Sequence, residues 1–180
     1  MRQSVADGSA IQRKGRGTIA AALSHMTIFR EIARQQFEVA LVLEDDIDVG
    51  RTFWWTVSHY ADRCRELECD FLHLWWFKYL TKFSCQHSVP GSSDVLRLNC
   101  STPYFLKTST SAFLVTAAAA AKALALLSPL RWEQDIQLAE SSASFRWFGV
   151  RYGRVLRQRA TPSVRGEMDR GGVRRSNASK

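Results

Sequence analysis

The feature that most constrains this chain is an apolar run that ends abruptly in acid. Residues 39–49 read Val-Ala-Leu-Val-Leu-Glu-Asp-Asp-Ile-Asp-Val, so the carboxylates of Glu44, Asp45, Asp46 and Asp48 fall within five residues. An apolar run without polar alternation is typical of a central parallel strand that is covered on both faces. The carboxylates then lie at the C-terminal end of the strand, where open α/β sheets bind ligands. We therefore expect a buried strand that leads directly into a site.

The acidic cluster also predicts a metal. Neighbouring carboxylates repel one another unless a positive group lies among them. Mg²⁺ and Mn²⁺ prefer oxygen ligands, take one or two protein carboxylates, and complete their coordination with water and substrate phosphates. The cluster therefore predicts a divalent cation that holds a diphosphate. The alternative is a solvated acidic turn whose charges face water.

Length and composition predict one globular domain. The chain has 180 residues, of which 46% are hydrophobic, and six of them are tryptophans. This is enough for a single hydrophobic core, and we place the domain at residues 1–160. The sequence contains neither an apolar run that could cross a bilayer nor the apolar core of a signal peptide. We therefore expect a cytoplasmic protein.

The net charge of +8 lies in the C-terminal part of the chain. From Arg146 to Lys180 ten Lys and Arg residues face only Glu167 and Asp169, and the preceding residues carry fifteen charges of each sign. A basic tail at residues 161–180, which we predict to be disordered, could contact anionic lipid at the inner face of the membrane or a lipid-linked acceptor. We expect no nucleic-acid partner. The alternative is a solvated terminus without a ligand.

The cysteines indicate reduced core thiols. Cys64, Cys69, Cys85 and Cys100 form no C-x-x-C pair, which makes a zinc site a weak interpretation. Without a secretion signal, disulfides are also not expected.

Hydrophobic periodicity predicts an alternation of helices and strands, which is the pattern of a layered α/β domain. The predicted helices are Thr18–Gln36, Thr52–Leu67 and Ala117–Leu127, the last capped by Thr116 and stopped by Pro129. The predicted strands, besides the acidic-ended one, are Asp70–Trp76, Thr110–Thr116 and Trp147–Val155. Lys78–Tyr104 reads as a long loop with a hairpin, and Arg131–Ser141 as a loop that passes into a short helix.

The order of these motifs resembles glycosyltransferase family 25, the lipopolysaccharide and procollagen galactosyltransferase group. Five stretches are similar to the family's pattern, over roughly Ala6 to Ser163. They are Ala21-Ala-Leu-Ser-His25, Ala40-Leu-Val-Leu-Glu-Asp-Asp-Ile47, Asp70-Phe-Leu-His-Leu74, Ser111-Ala-Phe-Leu-Val-Thr116 with Ala121-Lys-Ala-Leu124, and Leu130-Arg-Trp-Glu-Gln-Asp-Ile136.

The resemblance implies a glycosyltransferase-A-like fold with a mixed, mostly parallel sheet and flanking helices. It implies a metal-dependent transfer of a hexose, galactose in the first instance, from a nucleotide sugar such as UDP-galactose to a glycan, lipooligosaccharide or hydroxylated acceptor. A metal between carboxylates and diphosphate stabilises the leaving group, and the attacking hydroxyl needs a base.

The resemblance also assigns roles to individual residues. Asp46 and Asp48 would hold Mn²⁺ or Mg²⁺, and Asp135, preferred to Glu133, would be the catalytic base; the alternative for Asp135 is acceptor binding. The residues expected to contact the substrates are Ser24 and His25 near a helix start, Glu44, Asp45 and Trp132. For Trp75 we expect a place in the core.

The chain departs from the family pattern at its start. Val5-Ala-Asp-Gly8 is similar to a segment that normally follows a strand and a helix, so we expect an N-terminally truncated member. Two other functions therefore stay open. One is a catalytically inactive binding module of the same fold. The other is a haloacid-dehalogenase-type phosphatase that uses Asp46 and Asp48.

Overall fold

The computed structural model describes residues 16–74, 86–98, 111–151 and 157–158. The helices are α1 (Arg16–Gln35), α2 (Phe53–Glu66), α3 (Ala117–Leu126) and α4 (Gln134–Glu140), followed by a 3₁₀ turn at Ser142–Ser144. The strands are β1 (Ala40–Leu43), β2 (Ile47–Asp48), β3 (Phe71–His73), β4 (Gln86–Ser88), β5 (Val95–Leu98), β6 (Ala112–Val115), β7 (Trp147–Val150) and β8 (Arg157–Gln158). No helix within these ranges is both long and apolar enough to cross a bilayer.

The predicted elements are confirmed within these ranges. The three long helices begin and end within two residues of the predicted bounds, and β4 and β5 form the hairpin expected in the long loop. The Thr116 hydroxyl accepts a hydrogen bond from the Ala119 backbone N–H at 3.2 Å, which caps α3 as predicted. Residues 1–15, Trp75, Trp76, Cys85, Cys100 and the basic tail lie outside the described residues.

The sheet has six strands in the order β1-β6-β3-β7-β5-β4, and β2 pairs with β8 in a separate ribbon. Within the six-stranded sheet only β3 and β7 run parallel. The other four pairings, β1 with β6, β6 with β3, β7 with β5 and β5 with β4, are antiparallel. The described residues thus form a mixed α/β fold whose sheet is mostly antiparallel.

Among the described strands, the expectation of a mostly parallel sheet is therefore wrong, and the acidic-ended strand does not lie at the centre. β1 is the terminal strand of the described sheet, antiparallel to β6. Every residue of β3, β6 and β7 is buried, because both faces of the sheet's centre are covered. An apolar run does not reveal strand direction, because antiparallel strands that are covered on both faces are as apolar as parallel ones. In β1 itself only Val42 is buried and the other three residues are half-buried, so the expected buried strand is confirmed only in part.

The core joins the helices to the centre of the sheet. α1 packs against α3, and α2 contacts β3 and β6. Phe29 of α1 is fully buried, with its ring centroid 6.3 Å from that of Phe71 on β3 and 6.2 Å from that of Phe113 on β6. Phe71 in turn stacks on Trp147 of β7 at 4.4 Å. This aromatic cluster holds α1 on one face of the central strands.

The strand directions show which strand ends meet on one side of the sheet. β1, β3 and β7 all end there and β6 and β5 begin there, since Leu43 pairs with Ala112 and Val95 with Val150. We call this side the acidic edge, because residues 44–48 follow β1 at this point. The opposite edge holds the start of β3 and β7, where Arg146 donates hydrogen bonds to Glu68 and Asp70.

Candidate functional site

The acidic segment, Glu44–Asp48, is fixed to the start of β6 by its first residue. The backbone N–H of Glu44 donates to the Ser111 carbonyl at 2.8 Å, and the Ser111 hydroxyl donates to Glu44 Oε2, also at 2.8 Å. Ser111 is buried, whereas Glu44 is half-buried. The Glu44 carbonyl accepts from the Ile47 N–H at 3.3 Å, which closes a turn over Asp45 and Asp46. The Glu44 carboxylate is thus held in one orientation at the acidic edge.

The other three carboxylates differ in their exposure. Asp45 at the tip of the turn and Asp48 on β2 are exposed, whereas Asp46 is half-buried with its Oδ1 atom shielded from solvent. β2 pairs with β8 so that Asp48 lies opposite Arg157 along the backbone. Ile47 between them is buried and anchors the segment in the core. The segment therefore presents acid on both sides of one apolar anchor.

The donor chemistry of this segment fits a hard divalent cation that is only partly held by protein. Asp46 and Asp48 offer the carboxylate oxygens that Mg²⁺ and Mn²⁺ prefer, and such ions need only one or two of them when phosphates and water supply the rest. Within the described ranges no group of three or more His, Cys, Asp or Glu side chains converges to form a complete protein cage. The fit is thus to a metal shared with a substrate.

Ser24 and His25 lie in the third turn of α1, not at its start. Their backbone N–H groups are used inside the helix, so the expectation that free helix-start amides meet a phosphate here is wrong. Ser24 is exposed and His25 is buried, so the two side chains face different surroundings. Any contact of these two residues with a substrate stays a prediction.

His25 has unusual surroundings for a polar side chain. Its ring lies parallel to that of Phe113 at 6.4 Å and near that of Phe29. Nδ1 donates to the Ala21 carbonyl at 3.0 Å, which makes Nε2 the acceptor in the neutral ring. Nε2 is buried, and no described residue forms a hydrogen bond with it. An imidazole acceptor is thus held near the first residues of β6.

Trp132 and Asp135 lie in and after the connection between α3 and α4. Gln137 organises this connection, because its Oε1 accepts from the Arg131 and Trp132 N–H groups and its Nε2 donates to the Leu126 and Pro129 carbonyls. Asp135 is half-buried in the first turn of α4, where its Oδ1 accepts from the Ile136 N–H at 2.9 Å. Trp132 is 40% exposed. The role of Asp135 as base and of Trp132 as a stacking surface stay predictions.

The connection follows a helix that begins at the opposite edge. α3 begins at the opposite edge, where the Ala117 N–H donates to the Phe37 carbonyl, and its ten residues run back over about 15 Å. α4 then returns the chain to the start of β7. The approach of this turn to the acidic segment stays a prediction.

The structure adds residues that the sequence did not single out. Ser111 lies within the predicted strand Thr110–Thr116 and directly precedes β6, but nothing in its sequence neighbours indicates a bond to Glu44. Asp94 lies in the predicted long loop, and its Oδ2 accepts from His59 Nε2 at 2.8 Å. Trp54 and Trp55, predicted as part of an ordinary helix, are 72% and 73% exposed. The helical spacing of apolar residues predicts a helix here but does not indicate that these two rings are exposed.

The described cysteines behave as core thiols. Cys64 and Cys69 are free and buried, which confirms the prediction for these two. The Cys69 thiol donates to the Cys64 carbonyl at 3.2 Å. The hydrogen bond with the Cys64 thiol, together with burial, raises the pKa of Cys69 far above its ordinary value. The Cys69 thiol is therefore not suited to act as a nucleophile.

A shallow pocket of about 180 Å³ lies at the opposite edge, lined by residues such as Asp70, Arg97 and Arg146. It is separate from the residues discussed above, since β3 and β7 begin there and end at the acidic edge.

A comparison with known families identifies the chain. No curated protein matches it. The family described as "Glycosyltransferase family 25 (LPS biosynthesis protein)" matches residues 3–137. This match covers three quarters of the sequence and includes α1, the acidic segment, β6 and Asp135. The chain therefore belongs to glycosyltransferase family 25.

Proposed function

We propose that this chain is a metal-dependent hexosyltransferase of glycosyltransferase-A type. It would move galactose from UDP-galactose to a glycan, lipooligosaccharide or hydroxylated acceptor at the cytoplasmic side of the membrane. Membership of a family of lipopolysaccharide glycosyltransferases supports the reaction class. The observation that carries the site assignment is the acidic segment at a sheet edge, with Glu44 oriented by Ser111.

The proposed roles follow the surroundings of each carboxylate. Asp46 and Asp48 would hold Mn²⁺ or Mg²⁺, which when bound neutralises charge on the leaving diphosphate. Glu44 and Asp45 would contact the donor. The Ser111 hydroxyl bonds one oxygen of Glu44, which helps to fix the orientation of that carboxylate.

Acceptor activation needs a base near the donor sugar. Asp135 would accept the proton of the attacking hydroxyl, since it is a half-buried carboxylate in the stretch that resembles the family's downstream acid. His25 would accept a hydrogen bond from the donor through Nε2, and Ser24 and Trp132 would contact substrate from the protein surface. These assignments rest on the family's sequence pattern together with the placement of α1 and α4.

The test is calorimetric titration of the full chain with UDP-galactose, with and without Mn²⁺. We expect binding that depends on the metal, and loss of that dependence in Asp46→Asn with the melting temperature preserved. Asp62→Asn is the matched control, because Asp62 is an exposed carboxylate of α2 paired with Arg65.

Each other outcome argues for a different function. Absence of metal-dependent binding at millimolar UDP-sugar would sink the transferase proposal and favour the inactive binding module. Unfolding of Asp46→Asn would mean that this carboxylate is structural. Release of phosphate from p-nitrophenyl phosphate would favour the phosphatase, which the family match opposes.

A further inference from the structure

The first turns of α2 carry an exposed aromatic residue, Trp55, next to a partly buried polar pair, His59 and Asp94. The ring of Trp55 lies parallel to that of His59, with 5.8 Å between centroids and 7° between planes. Trp55 is nevertheless 73% exposed, so most of the indole faces solvent. The open part of this indole offers an apolar surface to a ligand.

The pair next to this ring is fixed by hydrogen bonds. His59 Nε2 donates to Asp94 Oδ2 at 2.8 Å, and the Ser92 hydroxyl donates to Asp94 Oδ1 at 2.9 Å. The side chains of His59 and Asp94 are 40% and 27% exposed, so a ligand can reach both. Asp94 keeps acceptor positions beyond these two bonds, and His59 keeps its second ring nitrogen.

We propose that Trp55, His59 and Asp94 form a binding site for the saccharide of the acceptor. The C–H groups on one face of a pyranose carry partial positive charge and suit the negative face of an indole. The hydroxyls at the rim of the sugar would donate to Asp94 and exchange hydrogen bonds with His59. An aromatic face with polar groups at its margin is the combination that a sugar, apolar on its faces and polar at its rim, requires.

The position of the site suits an acceptor that extends toward the acidic segment. Asp94 precedes β5 and Glu44 follows β1, both at the acidic edge. Four strand spacings separate β1 from β5, which corresponds to roughly 19 Å. An oligosaccharide several units long, with its outer part on Trp55, could lie along the edge and present its terminal hydroxyl to the site. This inference rests on the proposed function.

The charges within α2 itself do not favour a membrane surface as the partner. A helix that lies in the membrane interface carries unpaired Lys and Arg on its polar face. In α2 the basic residues are Arg63 and Arg65 in the last turn, and both form ion pairs, with Glu66 and with Asp62 and Glu38 respectively. The polar groups beside Trp55 are instead a carboxylate and an imidazole.

The experiment compares two equally exposed tryptophans. Core oligosaccharide released from lipopolysaccharide by mild acid is titrated into the full chain, Trp55→Ala and Trp54→Ala. Trp54 is 72% exposed, and its ring lies 4.8 Å from that of the buried Phe53. We expect about tenfold weaker binding for Trp55→Ala and little change for Trp54→Ala. Trp55→Tyr should recover part of the affinity, and UDP-galactose binding should stay unchanged in all variants.

The outcomes separate this inference from the proposed function. Equal affinity of both alanine variants, or no binding of the oligosaccharide to the unaltered chain, would overturn the site while leaving donor binding as evidence for the transferase. Oligosaccharide binding through Trp55 without any donor binding would support the site and refute the transferase. A third outcome is that the chain sediments with vesicles that contain phosphatidylglycerol and that both alanine substitutions weaken this binding. That result would show that the partner of this surface is a membrane and not a sugar.

Discussion

Ser111 donates a hydrogen bond from its buried hydroxyl to the carboxylate of Glu44, at 2.8 Å and across 67 residues of sequence. The same two residues are joined by the backbone bond from Glu44 N–H to the Ser111 carbonyl. These two bonds hold Glu44 against the residue that directly precedes β6. The position of β6 in the sheet therefore sets the orientation of the Glu44 carboxylate.

Replacing Ser111 tests whether this tie matters for the site. Ser111→Ala removes the hydroxyl donor, which should lower the free energy of unfolding by about 1 kcal/mol. A Glu44 carboxylate that has lost the bond to this hydroxyl should also bind Mn²⁺–UDP-galactose several-fold more weakly. Both are measured by urea denaturation and calorimetric titration. Ser92→Ala is the control, because it removes a similar bond at the far end of the same edge. Unchanged donor affinity in Ser111→Ala would show that Glu44 does not contact the donor.

A substitution of His25 tests whether this residue contributes to donor binding or only to packing. His25→Phe keeps an aromatic ring against Phe113 and Phe29 and removes an acceptor whose Nε2 has no partner among the described residues. We expect a melting temperature within a few degrees of that of the unaltered chain, since burying a polar atom without a partner costs free energy. We also expect weaker UDP-galactose binding. Full donor affinity in a stable variant would mean that His25 has only a packing role.

The bond between His59 and Asp94 predicts a pH dependence of stability. Burial acts to raise the pKa of Asp94, but hydrogen bonds from His59 and Ser92 outweigh it and hold the pKa below its ordinary value. Because the folded-state pKa is depressed, the charged carboxylate stabilises the fold above the unfolded pKa of about 3.9. This contribution is lost as the pH falls through the lower folded-state value.

Asp94→Asn should therefore unfold more easily than the unaltered chain near neutral pH, by about 1 kcal/mol. This difference in the free energy of unfolding should shrink as the pH falls below about 4. Urea denaturation across this range measures it, with Asp62→Asn as the control, since its exposed ion pair with Arg65 contributes little. A gap that widens toward acid would contradict the assigned direction of the pKa shift.

The two described cysteines should resist modification in the folded protein. Cys64 and Cys69 are each 1% exposed, and the pKa of Cys69 is raised by its bond to the Cys64 thiol and by burial. Iodoacetamide at pH 8 should label both only when guanidinium unfolds the chain, because the thiolate is the reactive form. Peptide mass spectrometry measures each site separately. Rapid labelling of either residue under native conditions would contradict their placement in the core.

Local sequence patterns were enough to locate most of the elements and the segment that carries the acid. The periodicity of α1 and α2 reflects one buried face each. Thr116, before a run of alanines, caps α3 because its hydroxyl accepts a hydrogen bond from the helix. Residues 39–49 revealed an apolar strand followed by carboxylates because both properties are contiguous in sequence. The family membership rests on the same kind of ordered local pattern.

Partners that are distant in sequence were decided only by tertiary structure. Strand direction was predicted wrongly, since burial on both faces makes β3, β6 and β7 apolar whatever their neighbours' directions. The bonds of Glu44 to Ser111 and of His59 to Asp94 depend on which strands are adjacent.

The sequence by itself thus determined which residues carry charge, which segments fold locally and to which family the chain belongs. The tertiary structure decided which face of a helix meets the sheet, and so that His25 is buried beside exposed Ser24 and that Trp55 lies open to solvent over His59. The physical reason is that burial and hydrogen bonding between distant segments depend on the three-dimensional arrangement of strands, which short-range periodicity does not encode.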